Sequence, residues 1–349
     1  MALESGFFAL LDEFRPEELH LVHRRALGLT ALIAIDDTRL GPATGGIRWR
    51  AYPSPEAGAR DVLRLGRAMT YKNAFAELAL GGGKTVVLHD STMRREEAFR
   101  ALGEAIEGLG GRYVTACDYG TTAAELALVK SRTRFALPED AAGGLDLGTA
   151  TGVLVAIRSV WRRLTGRDAL AGVRVLVQGV GDVGLVLARL LVEAGARVSF
   201  SEIDEGRAAR CADELGVPRI AAAEIFEADV DVLSPCAVGE VITVEAARRM
   251  RARGIAGAAN NQLADDAAGR VLMERGICYA PDFAANAGAV IVGFETFAGR
   301  GAGALEVVRR IEGRLDAVFE DAARDGIGTT EAALRHARGR LDSVRPAGR

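Results

Sequence analysis

The stretch from Val173 to Asp204, VRVLVQGVGDVGLVLARLLVEAGARVSFSEID, leaves a chain few ways to fold. An apolar run, a glycine turn, an amphipathic helical stretch and a second apolar run ending in acids predict a strand, a helix and a parallel strand covered on both faces. Gly179, Gly181 and Gly184 form G-x-G-x-x-G, with Asp182 and Val183 between the last two, after the first strand and at the start of the helix. Each glycine has a reason: a tight turn, bare backbone where a pyrophosphate can approach, and close helix-to-strand packing. The helix N-terminus favours the negative charge. Glu202 follows about 20 residues on, where a carboxylate accepts hydrogen bonds from adenosine ribose hydroxyls and repels a 2′-phosphate, so NAD is expected as cofactor. Arg207 lies close enough to keep NADP open. The competing explanation is a strand-turn-helix packed with small residues, since a chain with 42 glycines produces the pattern by chance; strand, helix and acid in the right order argue against it.

At 349 residues the chain fits two domains, with a cleft between them, better than one core. With 49% hydrophobic and 26% charged residues and a net charge of -3, it has the profile of a soluble globular protein with no electrostatic pull towards nucleic acid. Cys117, Cys211, Cys236 and Cys278 are widely spaced and form no CxxC pair, so neither a disulfide framework nor a thiolate metal site is expected. The start, MALESGFFALLDEF, lacks a basic leader, and no 18-residue apolar run occurs, so a cytoplasmic protein free of membrane is expected.

Before residue 145, β-rich runs (TALIAI, KTVVL, YVTA) alternate with helical ones, which predicts a first α/β domain over 1–145. LPEDAAGGLDLGTAT, from Leu137, is the predicted crossing, feeding a helix from about Thr151 to Leu164. A second domain is expected over 146–327, with further strands in VDVLSP, GIAGAAN and CYAPDF and helices over Gly303 to Asp325 and Thr329 to Val344. The Arg-rich last helix, within 328–349, can pack back on the first domain or on another subunit.

Two lysines flank three glycines in YKNAFAELALGGGKTVV. Lys72 ends an amphipathic helix and reads, alone, as a surface cation. Lys84 opens an apolar strand after glycines that leave backbone bare for a ligand; a desolvated lysine there has a lowered pKa suited to base catalysis. Asp118, in TACDYGTT, is a candidate acid or a plain helix N-cap. Asn260 and Asn261 follow a strand, where the open end of a parallel sheet carries ligands, although asparagine also serves turns. None of the four histidines marks a metal site, and His20 and His23 are expected on one helical face.

In order along the chain, DDTRLGPATGGIRW, DVLRLGRAMTYKNAFAELALGGGKTVV, CDYGTT, GVGDVG, SPCAVG, GAANNQL and APDFAANAGAVI closely resemble the amino acid dehydrogenases that include leucine, valine and phenylalanine dehydrogenases, relatives of glutamate dehydrogenase. The resemblance runs from about residue 30 to 295. It implies an α/β protein in which an N-terminal substrate and oligomerisation domain is separated by a cleft from a Rossmann-type, doubly wound parallel-sheet domain for NAD. It also implies a homo-oligomer that interconverts an L-amino acid with its 2-oxo acid and ammonia. On this resemblance Lys72 and Asn261 bind the substrate carboxylate, Lys84 is the catalytic lysine and Asp118 handles protons at the nitrogen. Gly45 and Gly46, with Thr44, Val290 and Gly293, line the substrate site, while Thr149, Ala237 and Asn260 lie by the cofactor.

Several positions depart from the family pattern. Thr44 stands where GPALGG has leucine, and Gly293 where leucine dehydrogenases often carry a branched residue. The missing side chain at Gly293 predicts room for a bulky or aromatic amino acid such as Phe or Trp ahead of Leu or Val, although apolar pockets discriminate by only about 1 to 3 kcal/mol per methylene. Cys117 and Ala289 also differ, and RFALPEDAAGG matches poorly. Two alternatives stay open: a dehydrogenase of a noncanonical amine or polar amino acid, suggested by Thr44, and a catalytically silent NAD-binding protein. The presence of Lys72, Lys84 and Asp118 together argues against the latter.

Overall fold

The computed structural model describes residues 6–138 and 144–344. Its contacts group the chain into two compact units, Met1–Glu139 with Ala337–Arg349, and Asp140–His336. The division thus falls a few residues before the expected 145/146, and the return to the first unit begins at 337 rather than 328. Part of the predicted crossing, 139–143, lies outside the described residues.

The first unit contains α1 (Phe7–Phe14), β1 (Glu18–Arg24), β2 (Leu29–Asp37), β3 (Ala43–Arg50), α2 (Pro55–Phe75), β4 (Gly81–Leu88), α3 (Arg95–Glu107), β5 (Tyr113–Cys117) and α4 (Ala123–Lys130). Its sheet has the order β1-β2-β4-β3-β5. β2 is antiparallel to β1 and β4, and β3 is parallel to β4 and β5. His20 and His23 therefore sit on a strand, not a helix, and their spacing of three puts them on opposite faces. His20 meets Glu18 at 2.6 Å and His23 meets Thr30 at 3.0 Å.

Period-two alternation assigns the sheet residues to two cores. Ile33, Ile35, Ile47, Val87 and Tyr113 pack with Phe99, Leu102 and Ile106 of α3. Leu32, Ala34 and Val86 pack with Ala59, Val62 and Leu63 of α2 and Leu10 of α1. Each large apolar side chain so buried contributes about 1.5 to 3 kcal/mol. Ser54 starts α2 by accepting the Ala57 N–H at 3.2 Å, with Pro55 at its first position. At its far end α2 lies directly on β4: a side chain at Gly82 would overlap the Thr70 backbone, and Asn73 donates to the Gly81 carbonyl at 2.6 Å.

The second unit contains α5 (Leu145–Thr165), β6 (Arg174–Gln178), α6 (Asp182–Glu193), β7 (Arg197–Ser201), α7 (Glu205–Leu215), β8 (Val232–Pro235), α8 (Val244–Arg249), β9 (Gly254–Ile255), α9 (Asp266–Glu274), β10 (Cys278–Tyr279), α10 (Asp282–Ala285), α11 (Gly288–Phe297), α12 (Ala304–Arg309), α13 (Ile311–Asp325) and most of α14 (Thr329–Ser343). The strands form one parallel sheet, β10-β9-β8-β6-β7. Val175, Leu176, Val177 and Leu233 are fully buried, as expected of strands covered on both faces. α5 begins six residues earlier than predicted, and the single helix expected over 303–325 is two, α12 and α13. The end of α14 packs within the first unit, where Arg340 donates to the Leu78 carbonyl at 3.4 Å and Arg39 to that of Leu341 at 3.3 Å.

Candidate active site

In the first unit, strand alternation points Lys84 and Arg48 to the face covered by α2, since Lys84 shares parity with Val86 of the α2 core and Arg48 is the direct partner of Val86. Asp118, just beyond β5, comes down on the same place. A Cβ at Gly46 would press within 2.8 Å of the Asp118 Cβ, so only glycine admits this approach. Asp118 Oδ2 lies 2.9 Å from Lys84 Nζ and accepts from Arg48 Nε at 2.9 Å. Arg48 Nη1 reaches Asp61 of α2 at 3.2 Å, and Asp61 also accepts from Tyr52 Oη at 2.7 Å and from Arg64 at 2.9 Å. The result is a line of alternating charge anchored in three strands and a helix.

Burial dominates its electrostatics. The Lys84 side chain is only 7% exposed, and burial pushes its pKa below the ordinary lysine value despite the pull of Asp118. Burial also opposes the charge on Asp118, but Lys84 and Arg48 outweigh it and hold the carboxyl at about 2. The pair therefore combines a carboxylate held ionised with an ammonium whose charge burial disfavours. Asp118 does not cap a helix: Thr122 does that for α4.

The glycines before Lys84 have a different task from the one read in the sequence. Gly81 to Gly83 lie inside β4, not ahead of it, and the space their side chains would fill belongs to Asp37, Thr70, Ala34 and Tyr113. They bring neighbouring backbone close instead of leaving room for a ligand, and this close packing is what buries Lys84. Gly45 is used similarly: its side-chain space is taken by the Gly83 backbone, and its carbonyl accepts from Tyr113 Oη. Thr44 is buried and turns its hydroxyl to the Pro42 carbonyl at 3.4 Å. Lys72 is half-buried in the last turn of α2.

In the second unit the three glycines of the β6–α6 turn differ in the way the motif requires. Gly179 has φ of 91° and packs on Ala237; a Cβ at Gly184 would overlap the Gly179 carbonyl; Gly181 faces open space with nothing within 4 Å. The N-terminus of α6 has no side-chain cap, which leaves the first-turn N–H groups of Asp182, Val183 and Gly184 for a ligand. Glu202 Oε1 accepts from the Ile203 and Asp204 N–H groups at 2.8 and 2.9 Å and pairs with Arg207 at 3.1 Å, while among the described residues Oε2 takes only the Val180 N–H, at 3.1 Å. Burial works against this charge, but Arg207 and the backbone donors hold its pKa at about 2. Gln178 Oε1, at the end of β6, is buried without a partner. An open glycine, uncapped helix N–H groups, a carboxylate oxygen with a spare lone pair and an orphan acceptor fit a dinucleotide.

Asn260 accepts from Asn286 Nδ2 at 2.8 Å. Asn261 has φ of 51°, donates its N–H to the Asp282 carboxylate and accepts the Glu240 N–H at 2.6 Å. Thr149 is buried in α5 with its hydroxyl on the Leu145 carbonyl at 3.0 Å. On α11, Val290 is half-buried and Gly293 buried. Arg48, Asp61, Tyr52 and Gln178 were not singled out by the sequence. In TGGIRW, Arg48 follows Gly46 by two, which on β3 means the same face.

Comparison with known proteins accords with these parts. Residues 18–135 match the Glu/Leu/Phe/Val dehydrogenase dimerisation domain, and residues 144–206 and 201–333 match Glutamate/Leucine/Phenylalanine/Valine dehydrogenase. The chain is 40% identical over 344 residues to leucine dehydrogenase of Thermoactinomyces intermedius, spanning 97% of this chain and 94% of that one. It is 38% identical over 325 residues to phenylalanine dehydrogenase of Caldalkalibacillus thermarum (strain TA2.A1), spanning 90% and 88%. The crystal structure of L-tryptophan dehydrogenase from Nostoc punctiforme superposes with a TM-score of 0.87 at 33% identity, covering 97% of this chain and 99% of that one. Fold and site together define an amino acid dehydrogenase, an oxidoreductase of two α/β domains. The chain belongs to the Glu/Leu/Phe/Val dehydrogenase family. Among the described residues no helix is long and apolar enough to cross a membrane, and no group of three His, Cys, Asp or Glu side chains could hold a metal ion.

Proposed function

We propose that this protein is an NAD-dependent L-amino acid dehydrogenase for apolar side chains, with bulky or aromatic substrates such as Phe or Trp ahead of Leu or Val, acting reversibly as a homo-oligomer. The observation that carries the proposal is the nearly buried Lys84 held 2.9 Å from Asp118. Lys72 and Asn261 hold the substrate carboxylate. Asp118, anionic at working pH, accepts a proton from the amino group so that nitrogen can push hydride from Cα. NAD, when bound, supplies the hydride acceptor. Lys84, in its neutral form, takes a proton from the water that adds to the iminium carbon. The carbinolamine then collapses as Asp118 returns a proton to nitrogen and the hydroxyl proton leaves with the departing ammonia as ammonium, giving the 2-oxo acid, after which Lys84 releases its proton to solvent.

Gly179, Gly181, Gly184 and the first turn of α6 would hold the pyrophosphate, and Glu202 the adenosine ribose. Thr149, Ala237 and Asn260 belong beside the cofactor. Glu202 favours NAD, because its held negative charge repels a 2′-phosphate. Preference for a bulky side chain rests on Gly293, which contributes no side chain where Val290 and its neighbours on α11 do. Thr44 gives the polar-substrate alternative no support, because its hydroxyl turns back to Pro42.

The test follows NADH absorbance with NAD and a panel of L-amino acids at alkaline pH, with Lys84→Ala alongside. Turnover on phenylalanine or tryptophan above leucine, lost in the variant, is expected. Preference for leucine or valine would refute the bulky-pocket argument, and activity surviving in Lys84→Ala would refute the role of Lys84.

A further inference from the structure

Arg48 plays no part in the reaction as derived above, yet its guanidinium occupies the center of the charged line. Nε meets the same Asp118 oxygen that holds Lys84, at 2.9 Å, and Nη1 meets Asp61 at 3.2 Å. We propose that Arg48 is a positioning residue that acts through Asp118, keeping that carboxylate anionic and pushing Lys84 towards its neutral, proton-accepting form, with Asp61 as the counterweight that limits the push. The inference rests on the reading of Lys84 as the base. An arginine suits the task because its charge is constant at every working pH, and its planar fork spans two carboxylates at once.

Strands β2 and β3 and helix α2 pack against β4, which carries Lys84. On β2, Asp36 is taken by Thr70 and Arg67, and Asp37 by Arg39. On α2, Arg64 is taken by Asp61, and Lys72 belongs to the substrate carboxylate in the proposed reaction. Tyr113 of β5 turns its hydroxyl to the opposite sheet face, against Thr85 and Gly45. Besides burial, the groups that bear most on the Lys84 charge are Asp118 and Asp61, which favour it, and Arg48, which opposes it. Arg48 and Asp61 therefore carry opposite signs, and this sets their test apart from any merely structural role.

The measurement is the pH dependence of kcat/KM for oxidative deamination, whose rising limb reports the base in the free enzyme. Arg48→Gln removes a cation and stabilises protonated Lys84, so the limb moves to higher pH by about one unit. Arg48→Lys keeps the charge but not the fork, so its limb moves less than that of Arg48→Gln. Asp61→Asn removes an anion and moves the limb to lower pH. Limbs that coincide with wild type while activity merely falls, or that move in the same direction in both variants, overturn the inference. If Arg48→Gln does not fold, the downward shift in Asp61→Asn still decides, since an unmoved or raised limb overturns it alone. Lys84→Ala separates this from the underlying reading: if it keeps the wild-type limb, Lys84 is not the base and both fall. If it loses turnover while the other limbs stay fixed, only the role of Arg48 falls.

Discussion

Replacing Asp118 by Asn tests the electrostatics where they are tightest. The change preserves side-chain volume and removes one negative charge 2.9 Å from both Lys84 Nζ and Arg48 Nε. Arg48 retains Asp61 at 3.2 Å, whereas Lys84 loses the carboxylate it touches. Breaking a buried pair from one side costs about 3 to 5 kcal/mol. Lys84 can limit the loss by shedding its proton, and keeping neutral at pH 7.4 a lysine that is charged in the unfolded chain costs about 4 kcal/mol. The two figures are comparable, so both protonation states of Lys84 are expected in the variant near pH 7. The pH dependence follows from linkage. The folded-state pKa of Lys84 is already below its unfolded value, so the unfolded chain binds more protons and stability climbs with pH between the two values. Removing Asp118 depresses the folded value further and widens that window downward. The deficit of Asp118→Asn is therefore largest below the variant's folded value, shrinks by about 1.4 kcal/mol per pH unit up to the wild-type folded value, and is constant above it, where both proteins gain stability in parallel. With about 2 to 4 °C of Tm per kcal/mol, thermal unfolding from pH 5 to pH 10 should show a gap of roughly 8 °C or more at the acid end that narrows as pH rises and then levels off. A gap that stays constant from pH 5 to pH 10, or one that widens with pH, would refute the reasoning.

Gly181→Ala meets open space and should leave Tm unchanged while weakening NADH binding, whereas Gly184→Ala collides with the Gly179 carbonyl and should lower Tm; equal Tm losses, read by calorimetry, would contradict this division. Glu202→Gln removes the charge expected to repel a 2′-phosphate and frees Arg207 from its 3.1 Å pair, so the NADP to NAD ratio of kcat/KM should rise about tenfold or more; an unchanged ratio counts against the assignment. Burial raises the Asp36 pKa to about 6 against the opposing effects of Thr70 and Arg67, so its folded carboxyl keeps a proton that the unfolded chain loses between about pH 4 and 6. Asp36 is thus destabilising above pH 6, and Asp36→Asn should gain about 1 to 3 kcal/mol at pH 8 and nothing at pH 4; urea titrations showing the same difference at both would refute it.

The second unit was the more legible in sequence because its strands are short, apolar and buried on both faces, so hydrophobic runs map onto strands one for one. In the first unit β3 escaped notice because ATGGIRWR opens with small residues of low strand propensity. Its place in the middle of the sheet comes from β4 and β5 pairing on either side. With β3 unseen, the parity that puts Arg48 beside Lys84 was hidden too. β1 was missed for a related reason: as an edge strand with half-exposed, mixed side chains it carries no clear alternation.

The two glycine-rich motifs show what the chain alone leaves undecided. GVGDVG and GGGK look alike on paper, and glycine near a charged residue suggests a ligand in both. In the first, one glycine of three faces open space beside uncapped helix N–H groups, so part of the motif remains for a phosphate. In the second, all three are filled by the protein's own backbone and side chains. That filling has a chemical consequence of its own. With α2 on the face that carries it and β2 and β3 on either side of β4, Lys84 is nearly buried against Asp118, and burial lowers its pKa from the ordinary lysine value. Small residues in GGGK thus pack neighbouring chain tightly around Lys84, whereas GVGDVG leaves open space at Gly181, and the difference lies in residues far away in sequence, such as Thr70, Ala34 and Tyr113, that occupy the space or leave it open.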